Sequence, residues 1–160
     1  MAALSVLVDV ESQQLRCLQG ADVLRCYTIA TAANGLGEEK GSFRTPRGWH
    51  TVRAKIGANA PSGSVFVRRR PTGEIYSPAL ASQYPERDWI LTRILWLSGQ
   101  ESGKNRGGQV DTLRRFIYIH GCPDEIVLGT PSSHGCVRMR NVDIIDLFDC
   151  VTVGTRVQIL

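Results

Sequence analysis

The chain has 160 residues, a length at which one hydrophobic core usually serves a whole domain, so we expect a single domain over residues 1–160. Hydrophobic residues make up 42% of it and charged residues 21%, which excludes the disordered, collagen-like and membrane-embedded classes of protein. The formal net charge of +4 favours anionic ligands, but it is too small to indicate a nucleic-acid-binding protein.

The first thirty residues predict three consecutive β-strands. Apolar and polar residues alternate in each strand, and turn-forming residues separate the strands, as in an antiparallel meander. The predicted strands cover Leu4–Val10, Gln14–Leu18 and Val23–Ile29. A turn at positions 21 and 22 would place Cys17 opposite Cys26 across the second hairpin, as two half-buried small residues.

The middle of the chain predicts a loop, two further strands and a helix. Residues 34–48 are rich in glycine and polar side chains, a composition typical of a loop. Strand patterns resume at Trp49–Ile56 and Ser64–Arg68. Apolar residues that recur at spacings of three and four, followed by Gly99, predict a helix over Glu86–Ser98.

The end of the chain predicts a short helix and a last strand. Asn141 is a good N-cap, and Asp143 in the first turn complements the helix dipole. The buried face of this helix would consist of Ile144, Ile145, Leu147 and Phe148. Gly154 then precedes a strand over Thr155–Leu160. Because strands and helices do not alternate, we expect a mainly β fold with one or two helices.

Residues 116–139 carry the pattern with the strongest chemical implication. A buried strand supplies His120, and a turn rich in serine and glycine supplies His134 beside Cys136. A thiol attacks only as the thiolate, so a reactive cysteine needs an imidazole or backbone donors nearby. Gly135 allows close approach of a substrate and leaves backbone N–H groups for a developing oxyanion. The pattern predicts Cys136 as a nucleophile with His120 as its base.

The same stretch also permits a zinc site as an alternative. The four soft ligands would be His120, Cys122, His134 and Cys136. Zinc sites usually pair their ligands at wider spacings such as Cys-x2-Cys, and His120 shares a strand face with Cys122 only if Gly121 stays extended. We therefore favour an enzyme without a metal or another cofactor, and total zinc in the purified protein separates the two hypotheses.

Three consecutive arginines, Arg68–Arg70, suggest a basic binding module as a further alternative. They precede Pro71-Thr72-Gly73, a sequence typical of a solvated turn, and no aromatic residues interleave with them as on a nucleic-acid platform. The sequence therefore favours neither a nucleic acid nor a membrane as partner. A salt titration of DNA binding tests this alternative.

Two motifs, Ile119–Gly121 and Ser133–Met139, resemble the signature of the YkuD family, the L,D-transpeptidase catalytic domain of bacterial cell-wall enzymes. The likeness extends to a Thr-Pro-x-Gly segment within Gly41–Gly48, to a closing helix at Asn141–Leu147 and to a strand from Gly154 to Val157. The resemblance implies a YkuD-like β-sandwich with one or two packed α-helices. It also implies a thiolate that attacks the bond between an L-centre diamino acid and D-Ala in a tetrapeptide stem, which releases D-Ala and leaves an acyl-enzyme.

The resemblance assigns a role to each matching residue. Cys136 matches the nucleophile, His120 matches the general base and acid, and the carbonyl of Gly121 matches the group that orients the imidazole. His134 and Gly135 match the motif that lines the oxyanion site. The substrate-binding candidates are Arg138, Ser133 and Tyr118. The arginine stands where some family members have asparagine, and a contact with a substrate carboxylate is its expected role.

The acceptor of the acyl group and the cell compartment are linked expectations. Water as acceptor gives an L,D-carboxypeptidase of murein recycling, whereas an amine from a second stem gives a periplasmic cross-linking transpeptidase. Without a recognisable signal peptide, and with an odd count of 5 cysteines, we expect a cytoplasmic enzyme that uses water. Cys122 departs from the family pattern, and a bond from it to Cys136 under oxidising conditions would block the nucleophile. The implied partners are tetrapeptide stems or muropeptides, and carbapenem-type inhibitors.

Overall fold

The structure, a computed structural model, describes residues 3–160. Its strands are β1 (Leu4–Asp9), β2 (Gln14–Gln19), β3 (Asp22–Ala30), β4 (Gly48–Ile56), β5 (Ser64–Val67), β6 (Arg70–Ile75), β7 (Ile90–Gly99), β8 (Tyr118–Gly121), β9 (Val137–Met139) and β10 (Arg156–Ile159). The helices are α1 (Pro78–Gln83), α2 (Asn141–Cys150) and a 3₁₀ turn at Gly108–Val110. No helix in residues 3–160 is both long and apolar enough to cross a bilayer.

All described strands belong to one sheet that closes on itself. Its order is β4-β10-β1-β2-β3-β9-β8-β7-β5-β6, and β4 also pairs with β7. The first eight strands of this order therefore form a ring, and the β5–β6 hairpin extends from the start of β7. Ring closure removes most of the unpaired edges that a sheet would otherwise expose. The prediction of a mainly β fold with one or two α-helices is confirmed.

The main hydrophobic core lies between the ring and helix α2. The helix contributes Ile144, Leu147 and Phe148 to this core, as predicted, and Asp143 lies in its first turn. Ile145, also predicted to be buried, is only half-buried. The N-cap is Arg140 and not Asn141, which was the predicted cap. The Asn141 side chain does not cap the helix, and its Nδ2 donates to the Cys122 carbonyl at 3.1 Å. Tertiary contacts thus move the start of α2 by one residue.

The predicted helix over Glu86–Ser98 is wrong, because this part of the chain forms strand β7. The strand pairs with β8 on one side and with β5 and β4 on the other, so both of its edges are hydrogen-bonded to neighbouring strands. Residues 91–95 are all buried. A strand buried on both faces is apolar at successive positions, and hydrophobic periodicity alone does not distinguish it from a buried helix.

The predicted pairing of Cys17 with Cys26 is also wrong. Cys17 lies opposite Arg25, and a register shift after Cys17 separates the two cysteines. Cys17 is buried whereas Cys26 is exposed, so they lie on opposite faces of the sheet. A single extra residue in one strand moves every side chain beyond it to the other face.

Strand β6 was missed because Pro71 and Gly73 are turn-forming residues. The strand stands last in the sheet order, and an edge strand tolerates a proline that cannot donate to a neighbour. The other predicted strands are confirmed to within a few residues at each end.

Candidate active site

The two His-Gly-Cys motifs lie in or beside the parallel strands β8 and β9: His120 and Gly121 belong to β8, whereas residues 134–136 immediately precede β9. Ile119 lies opposite Val137, and His120 lies opposite Arg138. Because side chains alternate along a strand, Ile119 and Val137 point into the main core while His120 and Arg138 point to the other face. Cys136 immediately precedes β9 and packs on that second face against Tyr118.

Cys136 is half-buried in the wall of a cleft. Its sulfur accepts a hydrogen bond from the Tyr118 backbone N–H at 3.3 Å, and its thiol donates to the Phe116 carbonyl at 3.4 Å. Burial raises the pKa of Cys136 to about 12, although the Tyr118 N–H, Arg138 and Arg115 act to lower it. In the unliganded protein the thiol therefore holds its proton at neutral pH, and the reaction needs a base that accepts this proton.

His120 is the buried base candidate on β8, with 1% of its surface exposed. Its Nδ1 lies 2.6 Å from the Gly121 carbonyl oxygen. A carbonyl only accepts hydrogen bonds, so Nδ1 carries the proton and Nε2 is left as the proton acceptor. Burial lowers the pKa of His120, which keeps the imidazole neutral at pH 7. This is the protonation state that a general base needs.

The turn before β9 is built around Gly135. Its φ of 136° is unfavourable for other residues, and a Cβ there would lie 3.1 Å from Ile117 Cδ1 and 3.4 Å from the Arg44 carbonyl oxygen. The Thr45 hydroxyl donates to the Gly135 carbonyl at 2.9 Å. The glycine is therefore required by both the backbone conformation and the close packing of the loop that contains Thr45.

Ser133 fixes the backbone of the same turn. It is buried, and its hydroxyl donates to the Cys136 carbonyl at 2.5 Å and accepts from the Gly135 N–H at 3.2 Å. The N–H of Gly135, a residue expected to line the oxyanion site, is thus hydrogen-bonded inside the turn. Tyr118 supplies the backbone N–H that reaches the sulfur. The contact of Ser133 with a substrate stays a prediction.

A cleft of about 380 Å³ opens in front of the Cys136 sulfur. Its walls include Arg68, Arg69, Asp88, Arg115, Tyr118 and His134. Three arginines against one carboxylate make the cleft cationic, which suits an anionic substrate. His134 is exposed at the cleft, and its ring meets the Phe43 ring edge-on at 5.9 Å between centroids.

The guanidinium of Arg138 is already bound within the protein. It donates to Asp88 Oδ1 at 3.1 Å and to the carbonyl and hydroxyl of Ser132, each at 3.2 Å. Only 12% of its side chain is exposed. The carboxylate that Arg138 contacts in this structure is therefore that of Asp88, and its binding of a substrate carboxylate stays a prediction.

Cys122 is buried, and its thiol donates to the Met139 carbonyl at 3.3 Å. Cys136 neighbours Tyr118 on the adjacent strand, four residues before Cys122, which corresponds to about 13 Å along the strand. A disulfide requires Cα atoms within about 7 Å, so the suggested bond between Cys122 and Cys136 is wrong for this fold. Burial also raises the pKa of Cys122 to about 11.

The zinc alternative required four ligands from the two motifs. In the part of the chain that the structure describes, residues 3–160, no group of three or more His, Cys, Asp or Glu residues is placed to hold a metal ion. The His120 imidazole is hydrogen-bonded through Nδ1 to the Gly121 carbonyl, and the Cys122 thiol is hydrogen-bonded to the Met139 carbonyl. The geometry supports the nucleophile hypothesis better than the zinc hypothesis.

A family model described as the YkuD L,D-transpeptidase catalytic domain matches residues 4–159. The chain belongs to this family of enzymes. It is 52% identical over 119 residues to the probable L,D-transpeptidase YbiS of Escherichia coli K12, a match over 72% of the chain and 33% of the relative. It is also 52% identical over 139 residues to the probable L,D-transpeptidase ErfK/SrfK of Salmonella typhimurium LT2, over 83% of the chain and 38% of the relative.

The chain thus spans about a third of the length of the curated relatives it matches. Solved structures of L,D-transpeptidases share its fold. One of them, titled as a complex with imipenem, has a TM-score of 0.57 and 16% sequence identity, and the match covers 99% of this chain and 59% of that one. At this identity the likeness shows the fold alone.

Several residues around the thiol of this YkuD domain were not predicted from the sequence to belong to the site. Arg115 donates to the carbonyls of Gly37, Glu38 and Arg44, and so ties the long loop before β4 to the cleft. Asp88 lies in the segment wrongly predicted as a helix, which hid its contact with Arg138. Isolated arginines and aspartates become recognisable only when the fold brings distant segments together.

Proposed function

We propose that this YkuD domain catalyses acyl transfer from the tetrapeptide stems of peptidoglycan, with Cys136 as the nucleophile. The observation that carries the proposal is the placement of the Cys136 sulfur in a cationic cleft, on the same sheet face as the buried imidazole of His120. Membership of the L,D-transpeptidase family supports the substrate class.

The first half-reaction forms a thioester. His120 Nε2 accepts the thiol proton as the Cys136 sulfur attacks the carbonyl carbon between the L-centre diamino acid and D-Ala. Backbone N–H groups stabilise the oxyanion that develops, and its collapse breaks the C–N bond. His120 then returns the proton to the leaving amine, so D-Ala departs with a neutral amino group. The Gly121 carbonyl holds the imidazole in the tautomer that this sequence of steps requires.

Proton transfer to His120 during the attack explains how a thiol of raised pKa still serves as a nucleophile. The pKa of about 12 belongs to the unliganded protein, where the sulfur has one backbone donor. Proton transfer to His120 and attack on the carbonyl then proceed together within the complex, so a stable thiolate never has to accumulate. Orienting the reacting groups in this way contributes as much as about 7 to 11 kcal/mol to lowering a barrier.

The second half-reaction depends on the acceptor. An amine of a second stem gives a cross-link, and the names of the curated relatives, probable L,D-transpeptidases, support this outcome. Hydrolysis, which gives an L,D-carboxypeptidase, was favoured by the expected cytoplasmic location. That location stays a prediction, and fractionation of native cells measures it.

The test is incubation of the purified protein with a disaccharide tetrapeptide, with and without an excess of a second stem that bears a free amine. Mass analysis detects D-Ala release, the tripeptide product and any cross-linked product. Cross-linked product that forms only with the amine indicates a transpeptidase, and tripeptide in both samples indicates a carboxypeptidase. If D-Ala is never released, or if Cys136→Ala protein releases it equally, the proposed function is wrong.

A further inference from the structure

The β5–β6 hairpin turns through two arginines in an unusual backbone conformation. Val67 pairs with Arg70, so the loop consists of Arg68 and Arg69 alone. Both have positive φ angles, 50° and 65°. Two-residue turns with positive φ at both positions strongly favour Asn-Gly and similar pairs. Side chains as large as arginine at both positions are strained, and strain of this kind is concentrated at functional sites.

The guanidinium of Arg69 is held by three aromatic side chains beside the candidate nucleophile. It lies over the Trp96 ring at 4.7 Å and over the Phe116 ring at 4.8 Å from each centroid. One of its nitrogens donates to the Tyr118 hydroxyl at 2.8 Å. Phe116 itself has a positive φ of 57°, so two strained residues form this contact. The planar group is therefore fixed in orientation.

The charge of Arg69 is not neutralised within the protein. Among residues 3–160 it forms no ion pair with a carboxylate, and Asp88, the acidic residue of the cleft, is bound by Arg138 at 3.1 Å. Arg68 and Arg115 add two further positive charges to the same cleft. An oriented guanidinium with unused N–H donors favours a planar anion such as a carboxylate.

Tyr118 links this cation to the reacting centre. Its backbone N–H contacts the Cys136 sulfur, and its hydroxyl accepts the hydrogen bond from Arg69. Burial raises the pKa of Tyr118, so the hydroxyl keeps its proton and can donate it to a ligand. A bound anion would thus accept hydrogen bonds from the Tyr118 hydroxyl and from the remaining N–H donors of Arg69. The same tyrosine contacts the nucleophile through its backbone N–H.

We propose that Arg69 and the Tyr118 hydroxyl bind a carboxylate of the donor stem and so determine which stems are acylated. This inference rests on the proposed function and names the chemistry that the cleft recognises. Two carboxylates are available on such a donor. One is the terminal carboxylate of D-Ala, and the other is a second carboxylate at the end of the third residue's side chain, in stems whose diamino acid has one.

The experiment measures binding without turnover, by titration calorimetry on Cys136→Ala protein. The ligands are a tetrapeptide with both carboxylates free, the same peptide amidated at its C-terminus, and the same peptide amidated on the third side chain. We expect Arg69→Gln to weaken binding of the free peptide by about 10- to 100-fold, as for loss of a charge-assisted hydrogen bond. One of the two amidated peptides lacks the carboxylate that Arg69 binds, and it should bind protein that retains Arg69 more weakly by a similar factor. Which amidated peptide this is shows which of the two carboxylates is recognised.

Arg69→Gln protein should no longer distinguish that amide from the free peptide. Arg70→Gln is the matched control, because Arg70 carries the same charge next to the turn, is exposed and does not line the cleft. We expect its affinity for the free peptide to be unchanged. Arg69→Lys retains the positive charge but lacks the planar guanidinium, so it should lose less affinity than Arg69→Gln. It replaces Arg69→Gln in the titration if the glutamine variant does not fold.

Three results overturn the inference. They are no binding of the free peptide, equal affinities of protein that retains Arg69 for all three peptides, or a loss of affinity in Arg69→Gln protein that is the same for all three peptides. The last result indicates a structural role only. If the peptide binds with the expected dependence on Arg69 but wild-type protein never releases D-Ala, carboxylate recognition stands while the proposed function fails.

Discussion

The backbone N–H of Tyr118 donates to the sulfur of Cys136 over 3.3 Å, so a residue of β8 directly contacts the candidate nucleophile that precedes β9. The bond depends on the parallel register of the two strands, in which Ile119 lies opposite Val137. It favours the thiolate, whereas burial favours the thiol and raises the pKa of Cys136 to about 12. Burial is the larger effect in the unliganded protein.

Alkylation of Cys136 by iodoacetamide should therefore depend steeply on pH. Only the thiolate reacts, and below the pKa its fraction grows about tenfold with each pH unit. We expect the rate to rise without a plateau from pH 7 to pH 10, because a pKa of about 12 lies above this range. Peptide mapping by mass spectrometry separates Cys136 from the other four cysteines. A plateau below pH 8 would show that the thiolate already exists at neutral pH.

Replacement of His120 by glutamine should lower the rate of acyl transfer by about 10² to 10⁴. The variant keeps the volume of the side chain but removes the nitrogen that accepts the thiol proton. His134→Gln is the comparison, since His134 is exposed at the cleft and contacts Phe43. We expect a smaller loss there, measured as the rate of acylation with saturating tetrapeptide. A larger loss in the His134 variant would reverse the assignment of the base.

The chemistry of the site was predictable from the sequence because it is encoded locally. His120-Gly121 and His134-Gly135-Cys136 are short motifs, and each residue type has a direct chemical meaning. Cysteine, histidine and glycine at these positions already suggest a nucleophile, a base and close substrate approach. The family resemblance then added the substrate class and the expected β-rich fold.

The errors arose where long-range pairing decides the structure. The apolar run of β7 is equally typical of a buried helix, and only its three neighbouring strands determine its conformation. The position of Cys17 depends on a bulge that no local pattern marks. Arg69 was noticed only as part of a basic run, because its contacts with Trp96 and Tyr118 join segments far apart in the sequence.

Gly135→Ala should destabilise the protein and slow acylation. The substitution places a β-carbon 3.1 Å from Ile117 Cδ1 at a φ of 136°. We expect a loss of about 1 to 3 kcal/mol in the free energy of unfolding, measured by urea denaturation. Gly73→Ala is the matched control, because Gly73 has a φ of 87° but no atom within 4 Å of its added β-carbon. Equal losses in the two variants would show that crowding at Gly135 contributes nothing.

His50 should make the stability of the fold depend on pH. It is fully buried on β4, where Nδ1 donates to the Gly48 carbonyl and Nε2 accepts from the Thr112 hydroxyl, both at 3.0 Å. Burial lowers its pKa from 6.5 to about 4. Between these values the unfolded chain binds the extra proton, so stability is complete above pH 6.5 and falls as the pH drops towards 4.

The lowered pKa of His50 corresponds to about 3 kcal/mol of stability lost across that interval. Chemical denaturation of wild-type and His50→Gln protein at several pH values isolates this contribution. The variant should be less stable at pH 7, but its stability should fall less between pH 6.5 and pH 4. Parallel curves for the two proteins would contradict the assignment.

The most direct test of the account is the intact mass of the protein after incubation with imipenem, a carbapenem. We predict one adduct per chain, mapped to Cys136, and none on Cys136→Ala protein with an unchanged circular dichroism spectrum. Cys17→Ala, Cys26→Ala and Cys150→Ala proteins should form the adduct normally, because these cysteines do not line the cleft. An adduct of equal yield on Cys136→Ala protein would contradict the assignment of Cys136 as the nucleophile.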